Sequence, residues 1–175
     1  MAIDETREFR PLNIALLTVS DTRTPADDSS GDILAGRIAT AGHEIAERAI
    51  VRDDVSALVA LLHRWIDDPA IDCVIATGGT GLTGRDVTPE ALDRVKDKDI
   101  PGFGELFRWL SYKTIGTATV QSRAMAVLAR GTYIFALPGS NGAVRDGWDG
   151  ILAEQLDSRN RPCNFVELMP RLREQ

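Results

Sequence analysis

The sequence predicts an α/β fold, a three-layer α/β/α sandwich around a mostly parallel sheet. Two observations carry this. Apolar runs of strand length alternate with stretches of helical periodicity along the whole chain. The clearest runs are apolar almost throughout rather than at every second residue, as strands covered on both faces are. Ligands of such sheets bind beyond the carboxyl ends of the strands, so the residues that close each run are the first place to look for function.

The elements follow in order. Residues 1–11 are polar and charged and read as an extended N-terminal arm. Residues 12–20 (LNIALLTVS) form the first strand, and the turn formers of 21–30 a loop. Residues 31–42 carry Ile33, Leu34, Ile38 and Ala41 at helical spacing and stop at Gly42, suited to a helix C-terminus. Residues 43–51 are a second strand, followed by Asp53 and Asp54. Residues 55–66 form an amphipathic helix with Leu58, Leu61, Leu62 and Trp65 on one face. Residues 71–77 are a third strand. A helix starts near Thr88-Pro89-Glu90, with Thr88 as its cap and Pro89 at its first position. Residues 104–115 form another helix, and 121–130 read as a shorter one. Residues 132–137 are a fourth strand, closed by Pro138-Gly139, and 142–156 a closing helix. The domain spans 12–165, and a tail of 166–175 lacks periodicity. Trp65 and Trp109 read as helix-packing residues.

Composition narrows the function. With 175 residues, one domain with one substantial core is expected. A net charge of −6 without basic patches argues against a nucleic-acid binder. The apolar runs are too short to span a bilayer, and no cleavable leader is evident. The two cysteines, Cys73 and Cys163, suit a reducing compartment, and a cytoplasmic location is expected. The two histidines, His43 and His63, have no partners at metal spacing, which disfavours zinc and a hydrolytic triad.

The strand ends carry the chemistry. After the first strand come Ser20 and Asp21; after the second, Asp53; after the third, Thr77-Gly78-Gly79-Thr80-Gly81 and then Asp86; after the fourth, Gly139 and Ser140. A glycine cluster exposes backbone N–H groups to an anion, although it matches neither the dinucleotide fingerprint nor the P-loop. Exposed aspartates are ordinarily turn or capping residues. Two of them beside an anion cradle would repel the ligand unless a divalent cation lay between, which points to phosphate chemistry with Mg²⁺. Arg85, Lys113 and Arg123 are candidates for holding a phosphate or a pterin.

The segments LTVSDT, TGGTGLTGRDVTPEAL, PGFGELFR, GTATVQSRA and FALPGSNGAV, with the acid pair after the second strand, occur in this order in the MoaB/MogA family of molybdenum cofactor biosynthesis. The chain resembles that family over about residues 12–165, and residues 156–165 are similar to its MoaB branch. The resemblance implies a domain that binds molybdopterin and assembles as a trimer or hexamer. It also implies adenylylation, in which AMP passes from Mg-ATP to the terminal phosphate of molybdopterin and pyrophosphate is released. By position, Asp53 and Asp86 match the acids tied to Mg²⁺ and adenylyl transfer. Thr77, Gly78, Gly79, Thr80, Gly81, Gly139 and Ser140 match the ligand-binding loops, and Ser20, Glu105 and Ser122 match further motif positions. A non-catalytic molybdopterin-binding or carrier protein on the same scaffold stays open beside the enzyme, as does a nucleotide-binding module unrelated to molybdenum.

Overall fold

The protein is described by a computed structural model that covers residues 3–174; Met1 and Ala2 of the arm and Gln175 of the tail lie outside the described residues. Six strands form one sheet in the order β2-β1-β3-β6-β5-β4. They are β1 (Asn13–Val19), β2 (Glu44–Val51), β3 (Cys73–Thr77), β4 (Lys98–Asp99), β5 (Met125–Ala129) and β6 (Thr132–Leu137). The run β2-β1-β3-β6 is parallel, and β5 and β4 continue it antiparallel.

Alternation along a covered strand divides the core in two. Ile14 and Leu16 of β1 face one side, where Leu34 and Ile38 of α1 (Ser29–Thr40), Phe103 and Phe107 of α4 (Pro101–Ile115) and Val144 of α5 (Asn141–Gly147) pack. Ala15 and Leu17 face the other, against Leu58, Leu62 and Trp65 of α2 (Val55–Asp67) and Leu92 of α3 (Thr88–Val95). Both faces are apolar, which is why β1, β3 and β6 read as nearly continuous apolar runs.

Four expectations are corrected. Residues 121–130 are not a helix: Gly116–Gln121 form a 3₁₀ turn and Met125–Ala129 a strand. The two-residue turn Arg130-Gly131 takes positive φ at both positions (47° and 92°), which suits a tight hairpin and pairs β5 with β6. Thr88 is not a cap. It is the first residue of α3, and its hydroxyl donates instead to the Gly78 carbonyl at 2.8 Å. The closing helix is interrupted by a π-helical turn at Trp148–Leu152 before a last turn at Ala153–Gln155 (α6). Trp65 is buried as expected, whereas Trp109 is 59% exposed on α4 and lies beneath the Lys113 ammonium.

The described part of the arm lies against the chain after α6. Ile3 bridges Asn160, and the Arg7 guanidinium donates to the Ser158 carbonyl at 2.9 Å. A short helix, α7 (Phe165–Leu168), is capped by Asn164 and buries Val166.

Topology sets the place of the site. From β1 the chain moves outward to β2 and then returns past β1 to β3. The loops after β1 and β3 therefore diverge, and a crevice opens at their carboxyl ends.

Candidate functional site

Three helices begin at this edge, each fixed by a side-chain cap. Asp28 accepts from Gly31 at α1, Asp54 from Ala57 at α2 and Ser140 from Ala143 at α5. Asp54 is thus occupied as a cap, while its neighbour Asp53 turns into the crevice. Asp53 and Asp86 line the same central cleft of about 340 Å³, with Ser20, Thr77, Gly78, Gly79, Thr80, Gly81 and Gly139.

The loop after β3 needs its glycines. Gly78 and Gly79 sit at φ 100° and 64°, a region that L side chains rarely adopt. A Cβ on Gly78 would collide with the Val19 carbonyl; one on Gly79 would collide with the Thr88 hydroxyl and stand 3.1 Å from Asp53 Oδ1. A Cβ on Gly81 would stand 2.8 Å from Asp86 Oδ2. The two carboxylates therefore flank the same glycine loop.

Their environments differ. Asp86 Oδ2 accepts from the Thr83 amide at 2.9 Å and its hydroxyl at 2.6 Å. Burial works against its ionisation, but the Thr83 and Gly81 bonds and the Arg123 charge hold its carboxyl below the usual value. Asp53 has no side-chain hydrogen bond to another described residue. Burial, and then the charge of Asp86, push its carboxyl above the usual value. Two acids held apart in this way at the mouth of a cleft are a pattern of functional sites. The arrangement fits a cation: it offers two carboxylate donors beside a loop open to phosphate. No group of three or more metal-binding side chains converges among the described residues, so ligand phosphates and water would complete the shell.

The remaining sequence candidates are placed as follows. Ser20 Oγ accepts from the Thr22 and Arg23 amides, both at 3.2 Å, and shapes the loop after β1. The Thr77 hydroxyl ties β3 to Pro138 at 3.1 Å. Ser122 and Ser140 lie one step away, in an apolar cleft of about 300 Å³ between α4 and α5 that shares Thr80, Gly81 and Pro138 with the central one. Glu105 is exposed on α4 and lines neither cleft. Arg85 lines the central cleft and pairs with Asp21. Lys113 faces outward over Trp109. Arg123 is occupied in shaping the loop: it donates to the Gly81 and Asp86 carbonyls, each at 2.7 Å, and pairs with Glu90.

Sequence reasoning missed Thr18, Arg23 and Ser30, which also line the central cleft. They lie inside a strand or among turn formers, where nothing local marks them. It also missed Asp28, which is fully buried beside them and bonds Thr18, Gly31 and Arg48.

Residues 15–158 match a family described as "Probable molybdopterin binding domain". The chain belongs to this family. The molybdenum cofactor biosynthesis protein B of Escherichia coli (strain K12) is 49% identical over 158 residues, which is 90% of this chain and 93% of that protein. Among solved structures, a molybdenum cofactor biosynthesis protein B superposes with a TM-score of 0.86 at 34% identity, covering 97% of this chain and all (100%) of that one. The tungsten cofactor synthesizing protein MoaB of Pyrococcus furiosus superposes with a TM-score of 0.77 at 32% identity, covering 94% and 99%. The protein is thus a molybdenum-cofactor-biosynthesis-family member with a molybdopterin-binding domain, and its α/β fold is that of its MoaB/MogA structural neighbours. No helix of the described residues is long and apolar enough to cross a membrane.

Proposed function

We propose that this chain binds molybdopterin and adenylylates its terminal phosphate with Mg-ATP. The carrying observation is the acid pair: Asp53, which has no side-chain hydrogen bond to another described residue, and Asp86, whose carboxyl is held below its usual value, flank the same glycine loop. A protein that only bound a phosphate would gain nothing from two carboxylates beside it.

Each residue has a part. The Gly78 amide bonds the Leu137 carbonyl at 2.9 Å and the Gly81 amide bonds Asp86, so the Gly79 and Thr80 N–H groups of this loop are the ones left to receive the α-phosphate. Asp53 and Asp86 hold Mg²⁺, which supplies charge neutralisation on the phosphates. An oxygen of the pterin's terminal phosphate bonds to the α-phosphorus. The bond to the bridging oxygen breaks, and its electron pair leaves with pyrophosphate. The attacking phosphate is already ionised, so no side chain has to take a proton, and positioning and electrostatics supply the catalysis.

Self-association as a trimer or hexamer belongs to the same proposal. It is supported by the outer face of α4, where Leu106, Trp109, Tyr112 and Ile115 are exposed beside Val120 at 79%. Such a patch on a 175-residue chain marks an interaction surface. A cytoplasmic location is proposed from the unpaired cysteines.

The test is turnover. Molybdopterin, Mg-ATP and the protein should yield adenylylated molybdopterin and pyrophosphate in equal amounts. Retained molybdopterin binding without product would instead establish a carrier.

A further inference from the structure

The central cleft has a neighbour on each side. Toward α4 lies the apolar cleft, which shares Thr80, Gly81 and Pro138 with it. Toward the β2 edge lies an open cleft of about 620 Å³, which shares Ser20 and Arg23 with it. The three clefts thus run in a row along the carboxyl edge of the sheet, with the acid pair in the middle.

The β2-side cleft is basic in a chain of net charge −6. Its walls carry Arg23, Arg48 and Arg52 against the single acid Asp21. Arg48 is neutralised by Asp28 and Asp32, both at 2.8 Å, and Asp21 is paired with Arg85. That leaves Arg23 and Arg52. Neither has a carboxylate within ion-pair distance among the described residues. Arg23 gives one donor to the Asp27 carbonyl at 2.8 Å and keeps the rest of its guanidinium fork. Chain direction couples this cleft to the acid pair. Arg52 and Asp53 are consecutive, yet Arg52 lines the basic cleft and Asp53 the central one.

We propose that Arg23 and Arg52 form an anion subsite for the polyphosphate end of the nucleotide, the part that departs as pyrophosphate. This rests on the adenylyl-transfer reading above and extends it to the leaving group. Displacement at phosphorus places the attacking and leaving oxygens roughly in line. With the α-phosphate on the glycine loop, one partner must enter from one side and the other depart on the opposite side. The apolar cleft offers no cation to a leaving pyrophosphate, and its lining suits a flat ring system. The basic cleft offers two guanidinium forks, which match phosphate oxygens in charge and geometry. The departing oxygen gains negative charge as its bond to the α-phosphorus breaks, and Arg23, which lines both clefts, stands at that boundary.

The experiment is isothermal titration calorimetry of the full chain with Mg²⁺ and three probes: ATP, inorganic pyrophosphate and AMP. Arg23→Gln and Arg52→Gln should each weaken ATP and pyrophosphate about tenfold or more, the scale of a lost charge-assisted pair. AMP should change by no more than about twofold. Both side chains are exposed, so the variants should melt like the wild type, and Arg94→Gln on α3 controls for net charge. Unchanged ATP and pyrophosphate affinities in both variants, over a wild type that binds ATP, would overturn the subsite alone. Equal losses for AMP would also overturn it, by placing the arginines on the nucleoside or α-phosphate. A wild type that binds neither ATP nor pyrophosphate would overturn the nucleotide reading and the subsite with it.

Discussion

Asp28 and Asp53 stand at the same edge of the sheet, and their surroundings are opposite. Asp28 is fully buried and bonded to the Thr18 hydroxyl at 2.7 Å, the Gly31 amide at 3.0 Å and the Arg48 guanidinium at 2.8 Å. Burial alone would raise its carboxyl; those three partners hold it below the usual value. Asp53 is only partly buried, has no such partner and is pushed upward. An acid whose partners are all in the protein contributes to the fold, whereas one left without a partner in a cleft is available to a ligand. The comparison also says where stability and activity oppose each other: the fold gains from Asp28 and loses from Asp53.

The largest effect expected is on turnover. Asp53→Asn and Asp86→Asn should each lower kcat for pyrophosphate release by about a hundredfold or more, the scale of losing one preorganised charge at a reacting centre. Asp28→Asn should leave kcat within about tenfold, through imperfect positioning of the β1–α1 loop alone. Equal losses in all three would erase the distinction between Asp28 and the acid pair.

Stability should rank the same residues in reverse. Asp28→Ala removes the cap of α1 and leaves Arg48 and Thr18 short of an acceptor. A loss of about 3 kcal/mol is expected, read from the midpoint of urea unfolding. Asp53→Asn, measured in EDTA, should stabilise the protein by up to about 1 kcal/mol. The site is open enough to water that screening keeps the effect small. That corresponds to a Tm rise of about 1–4 °C, and added Mg²⁺ should narrow the gap by stabilising only the wild type.

The smallest effect is in pH dependence, where the two signs differ. The folded-state pKa of Asp28 is depressed, so its contribution is present above the ordinary carboxylate value and is lost as pH falls through the folded value. The folded-state pKa of Asp53 is raised. Its penalty is absent below the ordinary value and grows as pH rises through the folded one. Denaturation curves across acid pH should lose slope in Asp28→Asn and gain slope in Asp53→Asn.

These residues also show what a sequence carries. The strands covered on both faces, β1, β3 and β6, are legible as apolar runs because little that is polar interrupts them. The β5–β6 hairpin is not, because its turn is Arg130-Gly131 and a strand of Met, Ala, Val and Leu has no helix-excluding residue. At the site, Asp53, Asp86 and the glycine loop are legible as punctuation at strand ends, and the structure brings them together. Arg123 is legible only as a charge. That it shapes the loop rather than waits for a phosphate depends on the carbonyls of Gly81 and Asp86, which are 42 and 37 residues away in sequence. Arg23 and Asp28 lie among turn formers, and Asp28 gains its distant partner, Arg48, only when β2 pairs with β1.

The most direct test of the central claim is Mn²⁺ binding followed by electron paramagnetic resonance, with a non-hydrolysable ATP analogue present. Wild type and Asp28→Asn should bind the ion alike, while Asp53→Asn and Asp86→Asn should each bind it at least about tenfold more weakly. Indistinguishable binding in all four proteins would contradict the assignment of the Asp53–Asp86 pair to a metal-bound nucleotide.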